Sequence, residues 1–325
     1  MSLELVAARY AVSVSPTLLA LIDPADPADP IARQFLPSLE ELHTSAEERA
    51  DPIGDAAHSP VKGIVHRHPD RVLFKAVASC PVYCRFCFRR ESIGPGKPNA
   101  LSPDDFEAAI AYIAGHPEIW EVILTGGDPF ILSPRRAAEI SHRLAAIAHV
   151  KVVRWHTRVP MVDPARITDE FVAALTVPGA TTWVAIHANH AKEFSAEACR
   201  AITRLREAGI ALVSQSVLLK GVNDRVETLA DLMRAFVENG IKPYYLHHPD
   251  LAPGTSHFRL GIDDGLALVE GLRARLSGLA QPSYMLDLPG GFGKVLLESR
   301  NVEKTESGHR IRDSAGAWHA YPPSR

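Results

Sequence analysis

Cys80, Cys84 and Cys87 stand together in CPVYCRFC and are three of only four cysteines among 325 residues. Thiols at C-x3-C-x2-C spacing can converge on one metal centre, yet they leave it one ligand short. A structural zinc closes its shell with four protein ligands, whereas a [4Fe-4S] cluster held by three cysteines keeps one iron open to a small molecule. The spacing favours the cluster, with a zinc site completed by His66 or His68 as the alternative. TGGDP, from Thr125 to Pro129, follows an apolar run and offers bare backbone that a ligand can approach closely. Beside a three-cysteine cluster, Gly126, Gly127 and Asp128 become candidates for holding the amino group of a ligand that chelates the open iron. The same residues would also make a tight strand-to-helix turn capped by Asp128. MLDLPGGFGK, from Met285 to Lys294, sets a carboxylate, a glycine turn and a lysine in one short span. The turn amides can nest a phosphate and Lys294 can form a Schiff base with an aldehyde cofactor. It is not a P-loop, because Val295 follows the lysine. An exposed lysine after a glycine turn is the plainer reading of that position.

The elements that must position these residues are legible from residue 71 onward. Apolar runs (RVLFKAVAS, EVILTG, VKVVRWH, TTWVAIH, ALVSQSVLL, KPYYLHH) alternate with amphipathic stretches about six times. Ser102, Ser133, Thr168 and Ser195 are expected helix N-caps, and Gly115, Gly209 and Gly240 expected C-caps. Such alternation implies an α/β fold of parallel strands with right-handed crossovers, closed into a barrel or partial barrel. Active sites of such folds lie at the carboxyl ends of the strands. The cysteine loop, GGDP, HTR, HANH and HHPD all fall there. Residues 1–60, with the turn-rich DPADPADP, are expected to form an N-terminal helical cap without chemistry of its own. Cys199, alone in AEACRAITRL, is expected to be a buried helix residue.

Composition excludes several classes. With 46% hydrophobic and 22% charged residues the chain is that of an ordinary soluble enzyme. A net charge of −3 and the lack of a long basic run argue against a nucleic-acid partner. No basic region precedes the first apolar residues, and no stretch approaches about 18 apolar residues. No membrane association and a cytoplasmic location are therefore expected. Clustered cysteines in such a chain read as metal ligands, since the cytosol keeps thiols reduced.

CPVYCRFCFRR followed by ILTGGDP resembles the radical S-adenosylmethionine superfamily, and the resemblance implies a partial (β/α)6 barrel. There the methionyl group of S-adenosylmethionine fills the fourth iron, and an electron from a one-electron reductant cleaves it to a 5'-deoxyadenosyl radical. Phe86 fits the aromatic position beside the adenine. QSVLLKGVND, KPYYLHHPDLAPGTSHFR and DLPGGFGK further resemble the lysine 2,3-aminomutase family, in order and spacing, over most of residues 60–300. This implies pyridoxal phosphate as second cofactor, held by Lys294, with Arg67 and Arg71 of RHPDR beside its phosphate. It also places His187 and Gln215 near S-adenosylmethionine, though either would serve equally as a satisfied strand-end polar group. His68 stands where relatives carry a tyrosine. Arg89 is implied to bind the substrate carboxylate, and Asp250 and Asp287 the distal ammonium. An arginine fork suits a carboxylate, and paired carboxylates suit a cation.

The resemblance divides the chain into the cap (1–60), the radical barrel (61–280) and a C-terminal segment carrying the cofactor lysine (281–325). Longer members hold a structural zinc with extra cysteines; here only Cys199 is spare and Arg225 follows GVND, so no such zinc is expected. The short tail gives no ground for carrying over their oligomer, and a homo-oligomer stays open. This outline resembles the relatives that make β-lysine for elongation factor P. The expected reaction is conversion of L-lysine to β-lysine. Arginine or glutamate as substrate, and a non-catalytic zinc-binding module, are the alternatives; Asp250 and Asp287 would repel glutamate.

Overall fold

The structure, a computed structural model, describes residues 2–94, 100–297, 302–313 and 316–322. Three short helices open the chain: α1 (Leu3–Arg9), α2 (Pro16–Leu19) and α3 (Pro30–Phe35). Between the last two, DPADPADP is a run of identical turns. Asp23, Asp26 and Asp29 accept the amides of Ala25, Ala28 and Ile31 at 2.9, 2.9 and 2.8 Å. Each intervening proline fixes φ, and the Asp side chain satisfies the next free amide.

Nine strands then form one sheet in sequence order. They are β1 (Ile64–His68), β2 (Arg71–Val77), β3 (Glu121–Gly126), β4 (Val152–Thr157), β5 (Thr181–His187), β6 (Ala211–Val217), β7 (Lys242–His247), β8 (Ser283–Leu288) and β9 (Gly293–Leu296). Strands β2 to β8 run parallel, and β1 and β9 are antiparallel edges. The six expected strands are β2 to β7; β8 and β9 carry the sheet past residue 280. The crossovers hold α4 (Pro103–Ala114), α5 (Pro134–Ala145), α6 (Val159–Val162), α7 (Asp169–Leu175), α8 (Ala196–Glu207), α9 (Val226–Glu238) and α10 (Ile262–Arg275). A separate sheet of β10 (Val302–Thr305), β11 (Gly308–Arg312) and β12 (Trp318–Tyr321) follows. Among the described residues no helix is long and apolar enough to cross a membrane.

Ser102, Ser133, Thr168 and Ser195 cap α4, α5, α7 and α8, each hydroxyl accepting the amide three residues on. Such a cap contributes about 1 kcal/mol. Gly209 and Gly240 follow α8 and α9 with φ of 76° and 74°, whereas Gly115 ends α4 at φ −80°, where other residues would also fit. Cys199 on α8 is only half-buried, its thiol 3.8 Å from the Phe194 carbonyl, because it lies at the rim of the packed helix face.

Side chains on a strand alternate between faces. Val122 and Leu124, Val153 and Trp155, and Val184 and Ile186 turn outward into the core shared with the helices. The intervening residues, Arg154, His156 and His187 among them, line the inner face. That the sheet curls into a barrel is evident because His156 on β4 lies within electrostatic reach of His247 on β7 and Lys294 on β9. The two edges approach each other: Arg67 on β1 lies 3.9 Å from Asp287 on β8. A side chain at Gly54 would sit 2.7 Å from the Gly291 amide, and its φ of +69° also favours glycine.

The N-terminal segment locks onto the cysteine loop. Glu41, wholly buried, accepts from Arg85 Nε at 2.9 Å and from Arg85 Nη2, and pairs with Arg90 as well. Arg85 also donates to the Ala11 carbonyl at 2.7 Å, and Arg90 lies 3.5 Å over the Tyr10 ring. Burial would raise the Glu41 carboxyl, but the two arginines outweigh it and hold it below the ordinary carboxylate value. Glu41→Ala would strand two buried cations and should cost about 3–5 kcal/mol in urea unfolding. A loss below about 1 kcal/mol, the range of an exposed pair, would show that this contact is not what holds the segment.

Candidate active site

The cysteine loop leaves the end of β2 and is held by the loop after β3. Gly127 donates to the Val77 carbonyl at 2.8 Å, and Asp128 to Ser79 at 2.9 Å. A side chain at Gly126 would lie 2.3 Å from the Val77 oxygen, and one at Gly127 would lie 2.1 Å from that of Ser79. What needs bare backbone here is the chain leading into Cys80. Asp128 is also committed inside the protein. Its carboxylate accepts from Thr157 Oγ1 at 2.8 Å, the Arg158 amide at 2.7 Å and the Phe130 amide at 3.0 Å. The capped-turn reading of GGDP is therefore the one realised by this side chain.

Those bonds aim Arg158 at the cysteines. Its Nη1 lies 3.5 Å from Cys84 Sγ, and Nη2 donates to Gln34 at 2.6 Å and Glu193 at 2.7 Å. The network continues through Asn189, which donates to Gln34 at 3.1 Å and meets His187 Nε2 at 3.2 Å. The Phe86 and His187 rings are 5.7 Å apart, and Gln215 is the register partner of His187 on the next strand. Phe86, His187 and Gln215 thus converge beside the cysteine loop. Burial keeps His187 well below the usual histidine value, so it is neutral.

The three thiols are free, and burial pushes all of them up, that of Cys84 to about 11. Left bare they would stay protonated; a metal centre is what converts buried thiols to thiolates. The three cysteines are half-buried on one loop with Arg158 beside Cys84, a donor set suited to an anionic iron–sulfur cluster; among the described residues no group of three His, Cys, Asp or Glu side chains is placed to hold a single metal ion. His66 Nδ1 is 2.8 Å from Tyr112 OH and its ring is edge-on to His116.

A second group lies toward the two sheet edges. Lys294 and Asp287 are cross-strand partners and their side chains form an ion pair. His247 Nδ1 is 3.5 Å from Lys294 Nζ, and the Tyr245 ring 5.7 Å from it. Lys294 is three-quarters buried, which excludes the plain exposed-lysine reading. Arg67 approaches Asp287 from β1, and His68 lies 3.6 Å from where a Gly293 side chain would be. Arg71 is turned to Asp70 at 2.7 Å and is one-third exposed, so its guanidinium has a surface partner. Asp250, past β7, is half-buried and lies within electrostatic reach of Asp287, Lys294, Arg89 and Cys87.

Burial, then Asp287, raise the Asp250 carboxyl to about 8. At Asp287 burial also acts upward, but Lys294 outweighs it and keeps that group ionised. Burial and Lys294 push His247 down to about 3, and burial with Arg71 and Arg67 pushes His68 to about 4. The site therefore holds one ionised and one protonated carboxyl beside neutral imidazoles.

Residues 1–60, expected to be without chemistry of their own, also reach this group. Asp55 contacts Arg67 and Arg89, at 3.1 and 3.2 Å. Sequence gave no sign of it, because a single Asp in a turn looks like any other. Arg158 was missed too, although its place in HTR, at the end of β4, marked it.

The Radical SAM superfamily profile matches residues 76–233, the span of the cysteine loop and of strands β3 to β6. Fold and site therefore define a radical S-adenosylmethionine enzyme, a class that brings a [4Fe-4S] cluster and S-adenosylmethionine with it. The chain is 40% identical to the L-lysine 2,3-aminomutase of Acetoanaerobium sticklandii, covering 87% of this chain and 68% of that one. It is 39% identical to that of Clostridium subterminale over the same shares, and 34% to that of Escherichia coli K12 over 89% and 84%. The chain belongs to the lysine 2,3-aminomutase family.

Two measurements check the site. Cys80→Ala, Cys84→Ala and Cys87→Ala should each lose most iron, sulfide and brown colour after anaerobic reconstitution, while Cys199→Ala keeps them; equal losses in all four would refute the assignment. Asp250 titrates near 8 folded and about 4 unfolded, so between these values the folded state holds the extra proton and stability falls as pH rises. Asp250→Asn removes that loss. Its thermal midpoint should gain on the parent protein from pH 4 toward pH 8 and then level off; a gap independent of pH would contradict the shift.

Proposed function

We propose that the protein is a pyridoxal phosphate-dependent radical aminomutase that converts L-lysine to β-lysine in the cytoplasm. The observation that carries this reading is the charge layout beside Lys294: a cation-rich side with Arg67 and Arg89, and two carboxyls, Asp250 and Asp287, facing it. The printed names of the relatives support the same substrate.

The residues present fit a phosphorylated aldehyde. Lys294 supplies a buried amine, and Arg67 Nε is buried with no acceptor among the described residues. When bound, pyridoxal phosphate supplies an aldehyde that links to amino groups and a conjugated ring that delocalises an unpaired electron, and the cluster with S-adenosylmethionine supplies the radical. Lys294 would hold the cofactor, with Arg67 and, once turned from Asp70, Arg71 beside the phosphate. Cys80, Cys84 and Cys87 would hold the cluster. Phe86, His187, Gln215 and the backbone of Gly126, Gly127 and Asp128 would border S-adenosylmethionine.

Arg89 takes the substrate carboxylate, its buried Nε having no acceptor among the described residues. Asp287 and Asp250 take the distal ammonium. An arriving cation lowers the Asp250 pKa, so its carboxyl gives up its proton as substrate enters. The neutral imidazoles of His156 and His247 and the Tyr245 ring wall the lumen and keep water from the reacting carbons. Catalysis by these residues is positioning.

The direct test is anaerobic incubation of reconstituted protein with S-adenosylmethionine, pyridoxal phosphate, reductant and L-lysine, followed by separation of the amino acids. β-Lysine is expected; turnover of arginine or glutamate in its place would overturn the reading. Lys294→Ala should keep its iron but lose the lysine-dependent change in cofactor absorbance. Asp287→Asn should raise the lysine KM by about two orders of magnitude, the scale of a broken buried charge pair.

A further inference from the structure

Asp55 joins two arginines that the proposed function assigns to different ligands. Its Oδ1 accepts from Arg67 Nη2 at 3.1 Å and its Oδ2 from Arg89 Nη2 at 3.2 Å. Lys75 Nζ lies 3.9 Å from Oδ2. The carboxylate is itself held in place: Asp51 accepts the amides of Asp55 and Ala56 at 2.9 and 2.8 Å. Arg67 Nη2 also donates to the Ile53 carbonyl at 2.7 Å. Residues 51–56 thus form a rigid bracket on the β1 side of the barrel.

Three cations face this one carboxylate. Arg67 Nε and Arg89 Nε are both buried and have no acceptor among the described residues. The same holds for Nε of Arg33, Arg90, Arg154, Arg158 and Arg259, so what singles out Arg67 and Arg89 is the carboxylate they share. Here each guanidinium gives Asp55 one nitrogen, Nη2, and Arg67 Nη1 also lies 3.9 Å from Asp287. A phosphate at Arg67 and a carboxylate at Arg89 would add to these contacts through the remaining N–H groups.

We infer that Asp55 is a positioning residue: it yokes Arg67 to Arg89 and so fixes the distance between the cofactor-phosphate subsite and the substrate-carboxylate subsite. The inference rests on the proposed function for the identity of the two anions. Its physical basis is preorganisation, since an arginine already oriented loses less freedom on binding its ligand. An arginine pair without the yoke would sample other rotamers and meet each anion less often in the productive geometry.

The test uses cluster-free full-length protein, measuring pyridoxal phosphate affinity by its absorbance and lysine affinity on the cofactor-loaded form by calorimetry. Asp55→Asn keeps shape and removes charge, and should weaken both affinities about tenfold, with Asp55→Glu recovering both to within about threefold. In an Arg89→Gln background, Asp55→Asn should no longer affect lysine affinity yet still weaken the cofactor. General loosening of the fold would lower both in every background, and that result would overturn the inference. So would an Asp55→Asn protein that loses only one affinity, or neither, while Arg67→Gln and Arg89→Gln lose theirs. If those two arginine variants keep their affinities, the proposed function itself fails. Should Asp55→Asn not fold, the same background comparison is read from Asp55→Ser, and loss of a single affinity there counts against the yoke.

Discussion

The carboxylate of Glu41, buried between Arg85 and Arg90, brackets Cys87 from both sides in sequence and so fixes the loop that presents all three thiols. A long loop after a strand has little hydrophobic content of its own to hold it. Here a charge-assisted, forked contact supplies what packing does not, and the N-terminal segment delivers it from about forty residues upstream. With the loop fixed, the backbone of Val77 to Ser79 can lie against Gly126 and Gly127, which leaves no space for side chains between them. The rest of the site is registered from this contact.

A chain of internal bonds then ties the loop to the strand ends. Asp128 receives the Arg158 amide, Arg158 reaches Cys84, and the same guanidinium holds Gln34 and Glu193. All but the Cys84 contact are buried, where a hydrogen bond is stronger and an unpaired group more costly than in water. The network accounts for a lysine-poor, arginine-rich neighbourhood: arginine keeps its charge in a dry site and offers several donors at once. It also places one cation beside a thiol that must become anionic when iron is bound.

Across the lumen the same dryness sorts the titratable groups. Burial drives His156, His187 and His247 to the neutral form and Asp250 to the protonated form, while the cation at Lys294 keeps Asp287 ionised. Two carboxyls with neighbouring places in the barrel thereby differ in charge. The edges of an almost closed sheet make this possible. Closure brings β1 next to β8 and β9, so that Arg67 and Lys294, more than two hundred residues apart, address the same Asp287.

The cysteine spacing, the alternation of apolar runs and the glycine-flanked lysine follow local rules, and each was legible in the sequence. Three thiols within eight residues must share a loop, and six strand-helix alternations leave few topologies. The helix caps at Ser102, Ser133, Thr168 and Ser195 were readable for the same reason, since a cap depends only on the next three residues. The cap at Asp128 was readable too, but its bonds to Thr157 and Arg158, and the partners of Asp55, Glu41 and Arg158, were not, because a carboxylate or guanidinium is defined by its partner. Those partners come from other strands or from the N-terminal segment. Which groups are charged was decided at the same level, by how much water the closed barrel removes from each. Sequence determined which chemical groups the chain carries and which strand end bears them; tertiary structure alone decided which of them meet, since that meeting is long-range and set by barrel closure.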